Sequence, residues 1–494
     1  MHDNFGFKHK SGVFMAVSSL PSSYGIGSFG KESFEFIDFL KKTGQKVWQV
    51  LPLNPTAYGD SPYQSPASLA GNPYFIDLEI LNKKGLITDE ELLSSRHEAE
   101  RIDYGWLFEN RYKILRKAHS RFIKTRLYVD FLDKNSYWLE DYALFMALKV
   151  ANKYCQWSSW ADEQKDYKKA ILNKAKYQDE MDFWRFLQFE FFTQWQAVLD
   201  YAHQSDVVIV GDMPIYVAYD SVDVWSDTQA FMLDENLTPT LVAGCPPDGF
   251  SIDGQLWGNP IYNWDKMLED GFKWWVKRTS HSLKMYDILR IDHFRGFAGY
   301  YCIRFGEPTA RNGWWQPCVG KQLFKVIREK VPTLKVIAED LGLITPDVVE
   351  LLQETGYPGM KPLQFAFYDD DSEFLPREYV TDNCVVYTGT HDSDATVTWA
   401  ENVEGKARER FLKECPIKEG QAPVDAIILF AHQSRANLSM VPMIDYMHLD
   451  NSARMNSPGF AEGNWTWQAK KDYLSKELIN RVYTLTKEGG RFNG

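Results

Sequence analysis

The sequence contains few cysteines and no long hydrophobic run. Its six cysteines stand far apart in a chain of 494 residues, at Cys155, Cys245, Cys302, Cys318, Cys384 and Cys415. Because none of them forms a CxxC pair, neither a zinc site nor a redox motif is indicated, and reduced thiols in the cytoplasm are expected. No run of about 18 apolar residues occurs, so no membrane span is predicted. The first ten residues, MHDNFGFKHK, lack the apolar core of a signal peptide.

Positive charge is also scarce. The chain has 55 Lys and Arg against 67 Asp and Glu, a net charge of −12, and no basic block. Nucleic-acid-binding proteins usually concentrate positive charge, so nucleic acid is not an expected partner. An acidic surface favours solubility and does not repel a neutral substrate. The content of 44% hydrophobic and 25% charged residues is ordinary for a soluble protein.

Aromatic residues, in contrast, are abundant. Trp, Tyr and Phe together make up 15% of the chain. Most of them must belong to a large core, but the stretches YCQWSSW, GQLWGNPIYNW, NGWWQP and GNWTWQ place aromatic rings beside Gly, Asn, Gln and Ser. These are loop compositions. Aromatic rings on loops suit flat, partly apolar ligands, and sugar rings are the commonest such ligand of soluble enzymes.

Eight apolar segments with strand character predict a (β/α)8 TIM barrel in the α/β class. Helical patterns lie between most of them; the stretch KESFEFIDFLKKTG, for example, joins the first two and makes parallel pairing expected. The remaining chain predicts one catalytic domain, 1–494, with insertions at the C-terminal face of the barrel, at roughly 54–200 and 213–283. The predicted strands are 13–20, 46–53, 206–217, 286–294, 334–342, 359–367, 383–392 and 437–443.

The stretch GIGSFG, 25–30, matches the glycine pattern of a dinucleotide-binding turn. However, PSSY separates it from the preceding strand, and no acidic residue ends the next strand, where a ribose would be held. These glycines are therefore interpreted as loop turns.

The stretch ILRIDHFRG, 288–296, runs from an apolar strand directly into charge. Because alternate strand residues share a face, Leu289 and Ile291 are expected to face the outer helices, and Arg290 and Asp292 the mouth of the barrel. Arg290 is expected to favour the ionised form of Asp292 and lower its pKa. Taken alone, the pair could equally be a structural ion pair.

Three other predicted strands also end in acids. Asp212 ends IVGDMP, Glu339 and Asp340 end VIAEDLG, and Asp392 follows His391 in YTGTHDS. Stability alone gives no reason to crowd carboxylates at one rim, because like charges repel. Cleavage of a glycosidic bond needs such a set: one carboxylate attacks the anomeric carbon, a second carboxylic acid protonates the leaving oxygen, and other groups stabilise the oxocarbenium-like charge.

The rival interpretation is a metal-dependent hydrolase built on His293, His391, Asp292, Asp392 and Glu339. No HxH strand is present, and Arg290 beside Asp292 disfavours a cation there, so no metal is expected. The two histidines are expected to contact substrate hydroxyl groups instead.

With these residues in place, the chain resembles the 4-α-glucanotransferases, also called amylomaltases or disproportionating enzymes, of the α-amylase clan. The resemblance covers nearly the whole chain in order. It rests on the blocks SSLPSSYGIGSFG, WQVLPLNPTAYGDSPYQSPASLAGNPY, VGDMPIYVAYDSVDVW, GCPPDGFSIDGQLWGNPIYNW, RIDHFRGF, IAEDLG, YTGTHDS and ARMNSPGFAEGNWTWQ.

The resemblance implies a retaining double displacement without a diffusible cofactor, acting on maltooligosaccharides and α-1,4-glucans. It assigns Asp292 as the nucleophile, Glu339 as the general acid and base, and Asp392 as the residue that binds hydroxyls of the reacting ring. A secondary glucan contact is implied for Tyr58. Asp340 is left as a structural partner. The implied substrate-binding residues are Tyr63, Asp212, Gln255, Trp257, Arg290, His293, Phe365, Asp369, His391 and Asn464.

The chain departs from the family pattern at Ser393, Gly249 and Gln468, where members often carry Asn, Tyr and Arg. In the family, the loop with Gly249 covers the acceptor sites, so this departure bears on the preferred length of the acceptor. Three hypotheses follow: glucan transfer, hydrolysis by the same residues, and binding of glucan without catalysis. Binding without catalysis is disfavoured because all three acids are present. Transfer is favoured over hydrolysis mainly by the resemblance, and the two long aromatic insertions, which could hold an acceptor and exclude water, point the same way.

Overall fold

The computed structural model describes residues 6–57, 59–247, 251–460 and 462–492. Within them the strands are β1 (Lys10–Phe14), β2 (Val47–Gln49), β3 (Val208–Met213), β4 (Leu241–Cys245), β5 (Gln255–Pro260), β6 (Ile288–Ile291), β7 (Gly299–Arg304), β8 (Trp314–Pro317), β9 (Val336–Ala338), β10 (Gly359–Pro362), β11 (Cys384–Tyr387) and β12 (Leu438–Pro442).

The helices in the same residues are α1 (Lys31–Lys42), α2 (Leu78–Lys83), α3 (Asp89–Ser94), α4 (Tyr104–Arg121), α5 (Arg126–Ala151), α6 (Asp162–Lys165), α7 (Tyr167–Leu172), α8 (Gln178–Gln204), α9 (Val222–Ser226), α10 (Trp264–Glu269), α11 (Lys273–Ser282), α12 (Gly320–Lys330), α13 (Pro346–Thr355), α14 (Thr396–Asn402), α15 (Gly405–Glu414), α16 (Pro423–Gln433), α17 (Met443–Tyr446) and α18 (Lys476–Glu488). In the described part of the chain, no helix has the length and apolar character that crossing a membrane requires.

Eight parallel strands close into a barrel in the order β1, β12, β11, β10, β9, β6, β3, β2. Each contains part of one of the eight predicted segments, so the predicted (β/α)8 barrel is confirmed. The first strand lies earlier than expected: β1 pairs from Lys10 to Phe14 with β12, and residues 17–19 form a 3₁₀ turn beyond it. That part of the apolar segment is buried above the barrel rather than in its sheet.

The inward faces of the barrel strands fill its centre with apolar side chains, among them Val47, Val210, Ile288, Met360 and Met440. Leu289 and Ile291 belong instead to the cluster that the outer helices cover. The alternation predicted along β6 is therefore present: Ile288 and Arg290 point inward, and their neighbours point outward. This register delivers the charged end of β6 to the mouth of the barrel.

Helices α2–α8 fill the chain between β2 and β3. The two longest, α5 with 26 residues and α8 with 27, pack against each other. Their contact is largely aromatic; the rings of Tyr142 and Trp184, for example, meet edge to face with centroids 6.1 Å apart. Much of the aromatic content of the sequence is thus core of this helical region.

A second sheet stands beside the barrel and was not predicted. It is antiparallel, with the order β5, β4, β7, β8. Strands β4 and β5 fall in the interval 213–283, whereas β7 and β8 follow β6. The Gly-, Pro- and Trp-rich composition of these segments is typical of loops, so no local pattern indicated strands. The pairs β4–β5 and β7–β8 are local, and the pairing of β4 with β7 joins them across a longer stretch of chain.

Candidate active site

The C-terminal ends of β3, β6 and β9 bring together three of the predicted acids. Asp212 on β3 is paired with Arg290 on β6, and Ile291 is paired with Ala338 on β9. Asp292 and Glu339 each follow the second pair by one residue. The backbone N–H of Glu339 donates to the carbonyl of Ile291 at 3.0 Å. Neighbouring strands in register therefore carry the two acids side by side to the mouth of the barrel.

Arg290 lies between two carboxylates but binds one of them more closely. Its Nη1 lies 2.6 Å and 2.8 Å from the oxygens of Asp212 and 3.3 Å from Oδ1 of Asp292. The side chains of Arg290 and Asp212 are 4% and 0% exposed, whereas that of Asp292 remains 27% exposed. The hydroxyl of Tyr63 also donates to Asp212, at 2.9 Å. Asp212 thus holds the arginine, and Asp292 keeps one side open to the cleft.

Arg290 lowers the pKa of Asp292, as expected, but burial outweighs its effect. Burial raises the pKa of Asp292 to about 7, Arg290 opposes this increase, and Asp212 and Asp392 add to it. Because Asp212 takes the shorter contacts with the guanidinium, Arg290 does not offset the loss of water around Asp292. The carboxyl group of Asp292 therefore titrates close to neutrality.

Glu339 is held by backbone donors. Its Oε2 accepts from the N–H of His293 at 2.6 Å, and its Oε1 accepts from the N–H of Leu341 at 3.0 Å. Burial raises its pKa to about 8 and the nearby charge of Asp292 adds to the increase, whereas Arg290 and the two backbone donors oppose it. Two neighbouring carboxyls whose pKa values are both raised can share one proton, which leaves a general acid beside an ionised carboxylate.

Asp392 is positioned by a loop from the far end of the chain. Nδ2 of Asn456 donates to Asp392 Oδ1 at 2.6 Å, and Arg454 donates to the Asp392 backbone carbonyl at 2.6 Å. The Asn456 N–H also bonds the carbonyl of His391, at 3.0 Å. Sequence reasoning missed Asn456, although it stands inside the block ARMNSPGF. Nothing in the sequence around Asn456 indicates that its side chain bonds Asp392, because the two residues are far apart in the chain.

Two aromatic contacts line the cleft. The ring of Tyr63 stacks on the imidazole of His391 at 5.2 Å, with Trp465 beside both rings. On the other side, Trp257 meets His293 edge to face at 4.9 Å. These contacts place the predicted Tyr63, His391, Trp257 and His293 around the acids.

Both histidines of the cleft are neutral at physiological pH. Burial, followed by the charge of Arg295, lowers the pKa of His293 to about 3. Burial also lowers the pKa of His391, against the attraction of Asp392. A neutral imidazole offers one donor and one acceptor, which matches a sugar hydroxyl.

Gln255 and Asn464, two other predicted positions, form hydrogen bonds with other groups of the protein. Gln255 accepts from Nε1 of Trp257 at 3.0 Å, which orients that indole. Asn464 uses its amide oxygen on the Ser457 N–H and its amide nitrogen on the Phe460 carbonyl, both at 2.8 Å. These two bonds help to shape the loop that carries Asn456, and each leaves its amide atom one further hydrogen bond to make.

Phe365 and Asp369 belong to the segment that follows β10. Phe365 meets Phe374 edge to face at 5.7 Å, and the charge of Asp369 acts on Arg410. Asp340, treated as structural, accepts from the N–H of Met360 at 2.7 Å. Its carboxylate lies against Gly359, where a Cβ would come within 2.2 Å of it.

Two of the three departures from the family pattern have plain structural roles. Oγ of Ser393 accepts from the N–H of Thr390 at 3.0 Å, and Nε2 of Gln468 donates to the carbonyl of Leu20 at 2.9 Å. Both contacts fasten loops at the cleft. Gly249 and Tyr58 lie outside the described residues.

Arg295 is a further residue that sequence reasoning passed over. Its guanidinium stacks on Trp315 of β8 at 3.6 Å, and it donates to Oγ1 of Thr345 at 3.3 Å. One side chain thus ties the turn after His293 to the antiparallel sheet and to the loop after Glu339.

Among the described residues, no three His, Cys, Asp or Glu side chains are grouped as ligands for a metal ion. A closed parallel barrel whose carboxyl-terminal mouth carries paired carboxyls, neutral histidines and aromatic rings defines a (β/α)8 enzyme with a cleft suited to polyhydroxylated ligands.

Known sequences and structures then identify the family. Residues 15–474 match the family model of glycoside hydrolase family 77, described as 4-alpha-glucanotransferase. The chain is 46% identical over 486 residues to the 4-alpha-glucanotransferase of Clostridium butyricum, covering 97% of this chain and 100% of that one. It is 44% identical over 481 residues to the 4-alpha-glucanotransferase of Aquifex aeolicus, covering 96% and 98%.

A solved structure agrees with these sequences. The amylomaltase of Streptococcus agalactiae in complex with acarbose superposes with a TM-score of 0.94 at 38% identity, covering 98% of this chain and 100% of that one. The chain therefore belongs to the 4-alpha-glucanotransferase family.

Proposed function

We propose that this protein transfers α-1,4-glucan segments from a donor maltooligosaccharide to the 4-hydroxyl of an acceptor glucan or glucose. The observation that carries the proposal is the pair Asp292 and Glu339 at the ends of adjacent strands, where burial raises the pKa of both carboxyls. Such a pair can hold one proton, which suits an ionised nucleophile beside a protonated acid, and the assignment of Asp292 as the nucleophile and Glu339 as the acid follows the resemblance. Family membership supports the same activity.

The reaction proceeds in two displacements. Asp292 Oδ attacks the anomeric carbon as the glycosidic C–O bond breaks, and Glu339 gives its proton to the departing 4-oxygen. The covalent glycosyl ester on Asp292 is then attacked by the 4-hydroxyl of an acceptor. Glu339 takes the proton of that hydroxyl, and Asp292 leaves as a carboxylate. Both displacements invert the anomeric carbon, so the α configuration is retained.

The other cleft residues bind the reacting sugar. Asp392, oriented by Asn456, accepts hydrogen bonds from ring hydroxyls, and the neutral His293 and His391 bond hydroxyls as donor or acceptor. The remaining assignments follow the resemblance: Tyr63, Asp212 and Arg290 line the same subsite, Trp257 forms an apolar platform with Gln255 and Asn464 as substrate-binding residues nearby, Phe365 and Asp369 form the acceptor side, and Tyr58 is a secondary glucan contact.

The cellular location, the domain organisation and the partners of the enzyme are also proposals. The six cysteines are free thiols, which fits a reducing compartment, and we propose a cytoplasmic location. We also propose that residues 1–494 form one catalytic domain with insertions at roughly 54–200 and 213–283. Its partners would be maltooligosaccharides and α-1,4-glucans, with neither nucleic acid nor membrane involved.

Incubation with maltotriose tests the function. Transfer converts two maltotriose molecules into maltopentaose and glucose, and repeated transfer builds a ladder of longer chains. A hydrolase using the same residues yields only shorter products, and a binding protein yields none. Chromatography of the early products separates these outcomes, with the Asp292→Asn variant as the inactive control. If all products are shorter than maltotriose, the enzyme is a hydrolase and the proposed transfer is refuted.

A further inference from the structure

A cavity of about 170 Å³ lies outside the cleft that holds the acids. It is enclosed by α5, α9, α11 and the segment 67–70, which come from the helical insertion, the chain after β3 and the helix before β6. It shares no lining residue with the site described above. Nothing in the proposed glucan transfer uses it.

The floor of the cavity is aromatic. Trp138 and Tyr142 of α5 are 3% and 1% exposed in the folded chain, and Trp274 of α11 is half-buried at the wall. The indole N–H of Trp138 is occupied by Oδ1 of Asn135 at 3.2 Å, so the small part of this ring that reaches the cavity is apolar. The larger accessible aromatic surface is that of Trp274, and an indole surface of this kind suits the C–H face of a sugar ring.

The lining carries charges of both signs. Asp223 is bonded by Ser68, and Arg278 donates to the carbonyls of Pro214 and Ile215, so the protein itself occupies these two. Among the described residues, neither Lys273 nor Lys277 lies within 4.0 Å of a carboxylate oxygen, although ion pairs are frequent elsewhere in the chain. Asp141 accepts one hydrogen bond, from the hydroxyl of Tyr167 at 2.7 Å, and the charge of Lys277 acts on both Asp141 and Asp227 without direct contact. Carboxylate acceptors and ammonium donors thus line one cavity without direct ion pairs between them.

This lining selects the chemistry of an occupant. An anion would meet Asp141 and Asp227, a cation would meet the two lysines, and an apolar molecule would strip water from all four without replacing it. A neutral molecule with several hydroxyl groups can donate to the carboxylates and accept from the lysines while one face rests on the indoles. The volume is that of a single ring rather than a chain.

We propose that this cavity, bounded by Trp138, Trp274, Asp141 and Lys277, is an accessory binding site for one neutral hexose. The choice of glucose as its ligand rests on the proposed function, because glucose is released when maltotriose serves as donor. The class of ligand, a neutral hexose, rests on the lining alone.

The cavity is connected to the cleft through one short segment. Residues 67–70 continue directly from Tyr63 and Gln64, and Gln64 bonds the carbonyl of Trp257 at 3.2 Å. Ser68 is fixed by its N–H bond to Asp223 at 2.8 Å. A hexose in the cavity therefore rests against the same segment that carries Tyr63 into the active site.

The site can be tested in the full-length Asp292→Asn protein, in which turnover is abolished. Acarbose, which is bound in the amylomaltase of Streptococcus agalactiae, first fills the cleft. Glucose is then titrated by calorimetry, and crystals of the same complex are soaked in glucose. Two variants weaken the cavity, Lys277→Met and Asp227→Asn, and Lys266→Met on the neighbouring helix α10 is the matched control. Inorganic phosphate is the comparison probe.

We expect a glucose ring in the electron density between Trp138 and Trp274, and a Kd that rises by roughly tenfold or more in each cavity variant, since removal of a charged hydrogen-bonding partner has effects of this size. The control should bind glucose as the parent does. Density confined to the cleft, an unchanged Kd in both variants, or binding of phosphate in place of glucose would each overturn the proposal. The maltotriose ladder is measured separately, so a protein that fails to transfer glucan but still binds glucose here would refute only the proposed function.

Discussion

Replacing Glu339 by glutamine and Asp292 by asparagine should separate the proton donor from the nucleophile. The Glu339→Gln change preserves the shape of a side chain that accepts two backbone N–H groups, from His293 and Leu341. The amide has no proton to transfer and keeps only one acceptor. The lost backbone bond should lower the free energy of unfolding by about 1 kcal/mol, and the lost proton should lower the rate.

The size of the rate effect depends on the leaving group. A positioned general acid contributes about 10²–10⁴-fold, or roughly 3–5.5 kcal/mol of the barrier. A sugar 4-oxygen is a poor leaving group without its proton, so with maltotriose we expect a loss near the upper limit for Glu339→Gln. With α-maltosyl fluoride, whose fluoride departs unprotonated, the first step should stay within about tenfold of the parent rate. Asp292→Asn should lose about 10⁴-fold or more with either donor, because the covalent step is removed.

Rapid measurement of fluoride release is the decisive assay. Glu339→Gln should give a burst of fluoride equal to the enzyme present, followed by slow turnover, since the base for the second step is missing. Added azide needs no base and should restore turnover with a glycosyl azide as product. Asp340→Asn is the matched control, because that neighbouring carboxylate bonds the backbone of β10 instead of facing the cleft. Equal losses of Glu339→Gln with maltotriose and with the fluoride donor would refute Glu339 as the acid. A near-normal rate in Asp292→Asn would show that another residue is the nucleophile.

Three other predictions concern the same cleft. The pH profile of kcat/KM with maltotriose should be bell-shaped, with both limbs at higher pH than free carboxyl groups would give, because burial raises the pKa of both Asp292 and Glu339: activity falls at low pH as the pair takes up a second proton and at high pH as it loses its only one; a profile flat from pH 5 to 9 would contradict the assignment. Asn456→Ala should lower kcat/KM by roughly 10–100-fold, because a charge-assisted bond of 2.6 Å to Asp392 is lost; steady-state rates and an unchanged melting temperature check this. Tyr63→Phe keeps the stacked ring but not the hydroxyl contact, so it should reduce kcat/KM by about tenfold or less, and Tyr63→Ala by more; equal losses in both variants would show that only the hydroxyl matters.

The barrel could be predicted because its strands are recognisable from neighbouring residues in the sequence. Most are short apolar runs bounded by turn residues, and each of the eight predicted segments overlaps one barrel strand, the first only at residues 13–14. The alternation of Leu289, Arg290 and Ile291 also determined which side chains face the mouth. The antiparallel sheet of β4, β5, β7 and β8 escaped prediction, because its Gly- and Trp-rich segments lack an alternating pattern and the pairing of β4 with β7 joins its two local pairs across a longer stretch of chain.

The environment of the acids was harder to foresee. Sequence reasoning placed Arg290 beside Asp292 and inferred a lowered pKa. The arginine does lower the pKa of Asp292, but in the folded chain it has a closer partner in Asp212 and Asp292 is partly buried, so the net pKa rises. Asn456, which orients Asp392 from 64 residues farther along the chain, was likewise invisible to any local pattern.

The sequence by itself determined the barrel and the acids that its strands carry to one rim, because strand period and strand ends are encoded by neighbouring residues. The tertiary structure alone decided how those acids are charged, what holds them and which loops surround them. The physical reason is that a pKa depends on burial and on the nearest opposite charge, and both are set by parts of the chain that meet only on folding.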